Sequence, residues 1–308
     1  MKSKLIDMSQ FSRKWLDVPY AAQSPAQKLD LILPENGEGP FPLVIFVHGG
    51  GWVADDKRSE STASIFKLPS QGYALAALNY RLALEARWPA QIYDVKSAVR
   101  YLRAHADEYC LNTDKLVVWG NSAGGHLSNM LAATGGRGIL EDYSTGNAGK
   151  SSRVDALVAW YAPSNLYQLE LECNMTPEEF IPELDIENAV DCACPQNILL
   201  GVPVMDNPLL SLAASPIAYI SPDFPPALYQ HGTADAVVVY TQSVCMSKKI
   251  NHVCGQRRAV LELLDGACHG DQRFKTDGNI SRCIDFIDSV VFGHLRPRLP
   301  LPDIKLAP

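Results

Sequence analysis

Ser122, Asp235 and His269 are the residues of this chain whose types, order and neighbours could do chemistry together. Ser122 stands in Gly120-Asn121-Ser122-Ala123-Gly124, directly after the apolar run Leu116-Val117-Val118-Trp119 and directly before the helical run from His126 to Ala133. A serine carried on a tight strand-to-helix turn needs small neighbours, and Gly120, Ala123 and Gly124 supply them. The N-terminus of the helix behind it favours negative charge developing at the serine. The plainer reading, an N-capping serine, fits the same position. A strand before it and a helix after it favour a nucleophile.

A serine hydroxyl needs a base. The C-terminal third offers His231, His252, His269 and His294. His252 falls on an expected helix, His294 lies near the tail, and His231 closes a strand, as a hydrogen-bonded structural histidine would. His269 sits in Leu263-Leu264-Asp265-Gly266-Ala267-Cys268-His269-Gly270, a glycine-flanked loop after the last apolar strand run. It is the expected general base. Its orienting carboxylate is expected to be Asp235, in His231-Gly232-Thr233-Ala234-Asp235 after the strand run Ala227 to Gln230. The chain order Ser, Asp, His follows, and such a carboxylate fixes the base tautomer and stabilises the imidazolium. Asp265 and Asp271 flank the histidine too closely and read as surface charge.

The third string is His48-Gly49-Gly50-Gly51-Trp52, after the strand run Leu43-Val44-Ile45-Phe46-Val47. Consecutive glycines let backbone N–H groups turn towards a substrate oxygen without steric cost. The amides of Gly50, Gly51 and Ala123 are the expected oxyanion donors. A phosphate-cradling loop would continue with Gly-Lys-Ser/Thr, and this one does not.

The elements that must position these residues alternate. Strand runs are expected at Lys28 to Leu33 (as an edge strand), Leu43 to Val47, Tyr73 to Leu78, Leu116 to Trp119, Ala156 to Trp160, Ala227 to Gln230 and Val260 to Leu264. Between them lie helical periods, clearest from Ala90 to Tyr109, with others beginning near Ser122, Thr241 and Ile280. The alternation predicts an α/β fold with a mainly parallel sheet. Residues 164–208 interrupt it with Met175-Thr176-Pro177-Glu178-Glu179-Phe180, a capped helix start, and with Cys-, Pro- and Asn-rich turns. This segment is expected to form a small cap insertion in one domain spanning residues 1–308.

The 308 residues are 47% hydrophobic and 20% charged, with a net charge of -7. That balance argues for a folded acidic protein and against a nucleic-acid surface. No stretch is long and apolar enough to suggest a membrane span. The first residues meet charge before any apolar run forms, so a cytoplasmic location without a signal peptide is expected. The eight cysteines are then expected to be reduced thiols. Cys192-Ala193-Cys194 lacks a partner pair, and no metal is expected there.

Together these strings resemble the α/β-hydrolase fold, and within it the carboxylesterases related to hormone-sensitive lipase and the bifunctional feruloyl and acetyl-xylan esterases. The resemblance runs from about Asp17 to Phe292. Besides the three strings it includes Asn79-Tyr80-Arg81-Leu82, Trp88-Pro89-Ala90-Gln91 and Ala214-Ser215-Pro216. It implies a serine carboxylesterase acting on short-chain acyl esters, such as acetyl groups on sugars or small molecules, with no cofactor. It also implies a homodimer as an open expectation. Trp52, Tyr80 and Trp88 are expected substrate contacts, able to stack on a pyranose or aryl ring. Related esterases commonly carry Asp or Glu before the serine; Asn121 removes that charge. Gly51-Trp52 also fits the H-G-G-x-W signature of kynurenine formamidases, so an arylformamide substrate is the alternative. A noncatalytic ligand-binding protein is a further alternative, and it would be expected to lack a triad member.

Overall fold

The computed structural model describes residues 4–172 and 194–307. Eight strands form one sheet: β1 (Lys14–Pro19), β2 (Lys28–Ile32), β3 (Phe41–Val47), β4 (Ala74–Leu78), β5 (Leu111–Asn121), β6 (Ala156–Trp160), β7 (Ala227–Gly232) and β8 (Ala259–Leu264). Their spatial order is β1-β2-β4-β3-β5-β6-β7-β8. β2 pairs antiparallel with β1 and β4, and every other pairing is parallel. The continuous apolar runs β4 and β6 are buried along their whole length, as parallel strands covered on both faces must be.

Two layers of helix provide that cover. On one face Leu43, Ile45 and Val47 pack with α1 (Ala90–Ala104), α2 (Ser122–Thr134) and α6 (Thr241–Cys254). On the other, Val44 and Phe46 pack with the 3-10 segment Glu60–Gln71 and with α8 (Asp277–Val291). Between β6 and β7 run α3 (Leu166–Glu172), α4 (Pro195–Leu200) and α5 (Pro208–Ala213); between β8 and α8 lies α7 (Gln272–Lys275). The helix start expected at Met175 to Phe180, and Cys192 of the C-x-C pair, lie outside the described residues. No helix among the described residues is long and apolar enough to cross a membrane.

Two expectations change. β2 is not an edge strand, because β1 pairs outside it. The polar position that suggested an edge, Asp30, is fully buried and paired at 2.5 Å with Arg58. Helix α1 ends at Ala104 rather than Tyr109: His105 caps it onto the Tyr101 carbonyl, and Tyr109 falls in the turn that follows.

The register explains the site. Val47 pairs with Gly120, Asn121 with Trp160, Trp160 with Gln230, and Gly232 with Leu264. The loops leaving the carboxyl ends of β3, β5, β6, β7 and β8 therefore emerge side by side, where ligands of open α/β sheets bind. The architecture is the α/β-hydrolase fold.

Candidate active site

β5 ends at Asn121 and α2 begins at Ser122, with no loop between them. This abrupt turn forces Ser122 to φ +51°, a left-handed backbone that non-glycine residues rarely adopt. The turn also requires glycine behind it. A Cβ on Gly124 would sit 2.1 Å from the Val47 carbonyl oxygen, so only glycine lets α2 dock against the end of β3.

The serine side chain meets the expected base. His269 Nε2 lies 2.9 Å from Ser122 Oγ, and His269 Nδ1 lies 2.8 Å from Asp235 Oδ2. A carboxylate accepts only, so Nδ1 carries the hydrogen and Nε2 is left to accept from the serine hydroxyl. Asp235 Oδ1 accepts from the backbone N–H groups of Val237 at 3.0 Å and Val238 at 2.9 Å. Burial alone would raise the Asp235 carboxyl. The hydrogen bonds from His231 and His269, with that from Val238 N–H, outweigh it and hold the group well below the usual carboxylate range.

The loops that carry these groups are tied to one another. Thr233 N–H donates to the Leu264 carbonyl and Ala234 N–H to the Ala267 carbonyl, each at 3.1 Å. Arg273 closes the base loop from below, donating to the carbonyls of Asp265 and Gly266 at 2.6 Å and pairing with Asp271 at 2.7 Å. Asp271 also caps α7 through Arg273 N–H. It is a brace for the loop, a fuller role than the surface charge expected of it.

On the other side of Ser122, Gly50 and Gly51 take φ +89° and +59°. The Gly50 carbonyl turns inward to accept from Val53 and Ala54 N–H at 3.1 and 3.0 Å. The Gly50 and Gly51 amides meet no acceptor among the described residues. Gly51, Ser122 and Ala123 line one narrow pocket with Trp52, Pro163, Leu169, Gln196, Val237 and Val238. Two of the three expected oxyanion donors, Gly51 and Ala123, thus share this cavity with the serine, while Gly50 is not among its lining residues.

The three aromatic residues expected to touch substrate part company. Trp52 lines the pocket, although its indole N–H is engaged with His126 Nδ1 at 3.2 Å. Tyr80 does not. It is buried beneath the glycine loop, its ring stacked on His48 at 4.6 Å and its hydroxyl donating to the carbonyls of His48 and Gly49. Trp88 is also buried, edge-on to His126, with its backbone N–H on the Leu199 carbonyl. Both rings support the loops around the site.

Three further residues border the site, and of these the sequence points only to His231, as a structural histidine. Tyr161, at the end of β6, sets its ring edge-on to His269 at 4.7 Å and accepts a hydrogen bond from Asn121 at 3.3 Å. His231 shares the Asp235 carboxylate: its Nε2 hydrogen lies between the Val238 carbonyl at 2.7 Å and Asp235 Oδ2 at 3.3 Å. His126 donates from Nε2 to the Ala214 carbonyl at 2.7 Å, and burial pushes its pKa down to about 4. A histidine four residues after the serine on a helix was the one available signal for it.

Known proteins resemble this chain at both levels. Esterase LipC of Mycobacterium tuberculosis is 30% identical over 252 residues, which cover 80% of this chain and 57% of LipC. The chain spans only about half the length of this relative and of two further mycobacterial ones, LipM and LipQ. A solved structure described as a truncated form of a carbohydrate esterase from gut microbiota superposes with a TM-score of 0.78 at 28% identity, covering 94% of this chain and 100% of that one. A bifunctional GH43-CE protein of Bacteroides eggerthii gives 0.78 at 29% identity, over 90% of this chain and 35% of that one. The BD-FAE family model matches residues 29–250, more than two thirds of the chain, and the chain belongs to the BD-FAE family.

Proposed function

We propose that this protein is a serine carboxylesterase for short-chain acyl esters, with acetyl groups on sugars or small molecules as the favoured substrates. One observation carries the reading: an unbroken line of hydrogen bonds from Asp235 through His269 to Ser122, ending beside uncommitted backbone amides. Ser122 Oγ attacks the ester carbonyl while His269 Nε2 takes its proton. The tetrahedral oxyanion is held by the amides of Gly50, Gly51 and Ala123. His269 then gives the proton to the departing alcohol, leaving an acyl-enzyme. Water, deprotonated by the same histidine, attacks the acyl carbon and returns Ser122. Every proton in this cycle is carried by His269.

The sugar reading rests on the likeness to carbohydrate esterases, and the short acyl group on the narrow pocket walled by Val237, Val238, Leu169 and Pro163. The cap reading of residues 164–208 is supported by its described parts, from which Leu169 and Gln196 line that pocket. The test is Ser122→Ala assayed on p-nitrophenyl acetate. A loss of about a thousandfold or more is expected; turnover within tenfold of the wild type would overturn the assignment.

A further inference from the structure

The pocket beside Ser122 contains few groups able to recognise a polar substrate. Ser122 is engaged by His269, and the Trp52 indole N–H by His126. Pro163, Leu169, Val237 and Val238 offer only apolar side chains. Among the described lining residues, that leaves Gln196 as the side chain with hydrogen-bonding capacity to spare.

Its orientation is fixed from behind. Gln196 Nε2 donates to Glu170 Oε2, while Asn197 Nδ2 donates to Glu170 Oε1 at 3.4 Å. Because a carboxylate only accepts, the amide nitrogen must face Glu170, and the carbonyl Oε1 must point to the other side of the amide group. Oε1 has no hydrogen bond among the described residues. Gln196 as a residue is also only 3% exposed, so little water reaches the amide group that a substrate donor would meet.

Resting on the esterase reading, we propose that Gln196, locked by Glu170, is a specificity residue that accepts a hydrogen bond from a free hydroxyl on the substrate. The favoured substrate class is then a partially acylated polyol or sugar whose ester lies near an unmodified hydroxyl. A fully acylated or etherified sugar presents only acceptors to Oε1 and gains nothing from it.

The experiment compares two esters under each enzyme form: a monoacetylated methyl xylopyranoside with free neighbouring hydroxyls, and the same ester with those hydroxyls methylated. The ratio of their kcat/KM values is the readout, so losses common to both esters cancel. Wild type is expected to favour the hydroxyl-bearing ester by about tenfold or more, the scale of one buried neutral hydrogen bond. Gln196→Leu should bring the ratio close to one. Glu170→Gln should lower it too, because an amide at 170 no longer dictates which way Gln196 faces. A wild-type ratio near one overturns the proposal before any variant is made. A ratio unchanged in Gln196→Leu, or unchanged in Glu170→Gln if the first variant fails to fold, also overturns it. The esterase reading fails separately, through full activity of Ser122→Ala on p-nitrophenyl acetate.

Discussion

The two walls around Ser122 are built differently. On the side of β7 and β8, backbone groups do most of the fixing: Val237 and Val238 N–H hold Asp235, and the two loops cross-link through Thr233, Ala234, Leu264 and Ala267. On the side of α3 and α4, side chains do it, with Glu170 gripping Gln196 and Asn197. Backbone hydrogen bonds persist under most substitutions, whereas a side-chain grip changes with one residue. On the reading proposed above, the first wall suits a constant chemistry and the second an adjustable choice of substrate.

The largest effect should come from breaking the backbone-held wall. Asp235→Asn keeps the shape but presents an amide to His269 Nδ1, favouring the wrong tautomer. Turnover of p-nitrophenyl acetate should fall by about three to four orders of magnitude. A loss smaller than tenfold would mean that Asp235 is not the orienting carboxylate.

The glycine loop comes next. A Cβ on Gly50 would lie 2.2 Å from the Ala54 carbonyl oxygen, so Gly50→Ala must displace the loop. The expected cost is about a hundredfold in kcat, the scale of one lost oxyanion donor. Gly138→Ala, also at positive φ but with nothing within 4 Å of its Cβ, should keep wild-type turnover. Equal turnover in the two variants would remove Gly50 from the oxyanion role.

The smallest effect belongs to His126, which lies outside both walls and links Trp52 of the glycine loop to the Ala214 carbonyl beyond α5. Burial depresses its folded pKa to about 4, so the unfolded chain binds the proton more readily. Its stabilising contribution is present above pH 6.5 and falls as the pH drops towards 4, by up to about 1.4 kcal/mol per unit. Protonation also removes the acceptor for Trp52. Urea unfolding from pH 7 to 4 should therefore show a steeper acid loss in the wild type than in His126→Gln. Parallel curves would remove His126 as the cause.

The sequence made the chemistry legible and left the surroundings hidden. Ser122, Asp235 and His269 stood out because each follows a recognisable strand and sits among small residues that only a tight turn needs. A tyrosine just beyond a strand reads the same in sequence whether its ring faces a ligand or props a loop, so the sequence alone points Tyr80 at substrate. Its two acceptors, the carbonyls of His48 and Gly49, lie 32 and 31 residues away. Gln196 and Glu170 are 26 residues apart on separate short helices, and His126 and Ala214 are 88 apart. No periodicity encodes such pairs; they exist only once the sheet has brought its loops together. The edge reading of β2 fails for a related reason, since a polar residue buried in an ion pair, as Asp30 is with Arg58, looks in sequence like a solvent-facing one.

The fourfold embrace of Asp235 has a consequence for the direction in which protons can travel. A carboxylate has about four lone-pair positions. Here two are filled by the Val237 and Val238 amides and two by His269 and His231. The anion is saturated. In the proposed cycle these donors favour the anionic form of Asp235, so the Nδ1 hydrogen stays on a doubly protonated His269 and the proton gained at Nε2 leaves towards the departing alcohol. The low proton affinity of Asp235 thus turns a symmetric-looking hydrogen-bonded chain into a relay that runs one way.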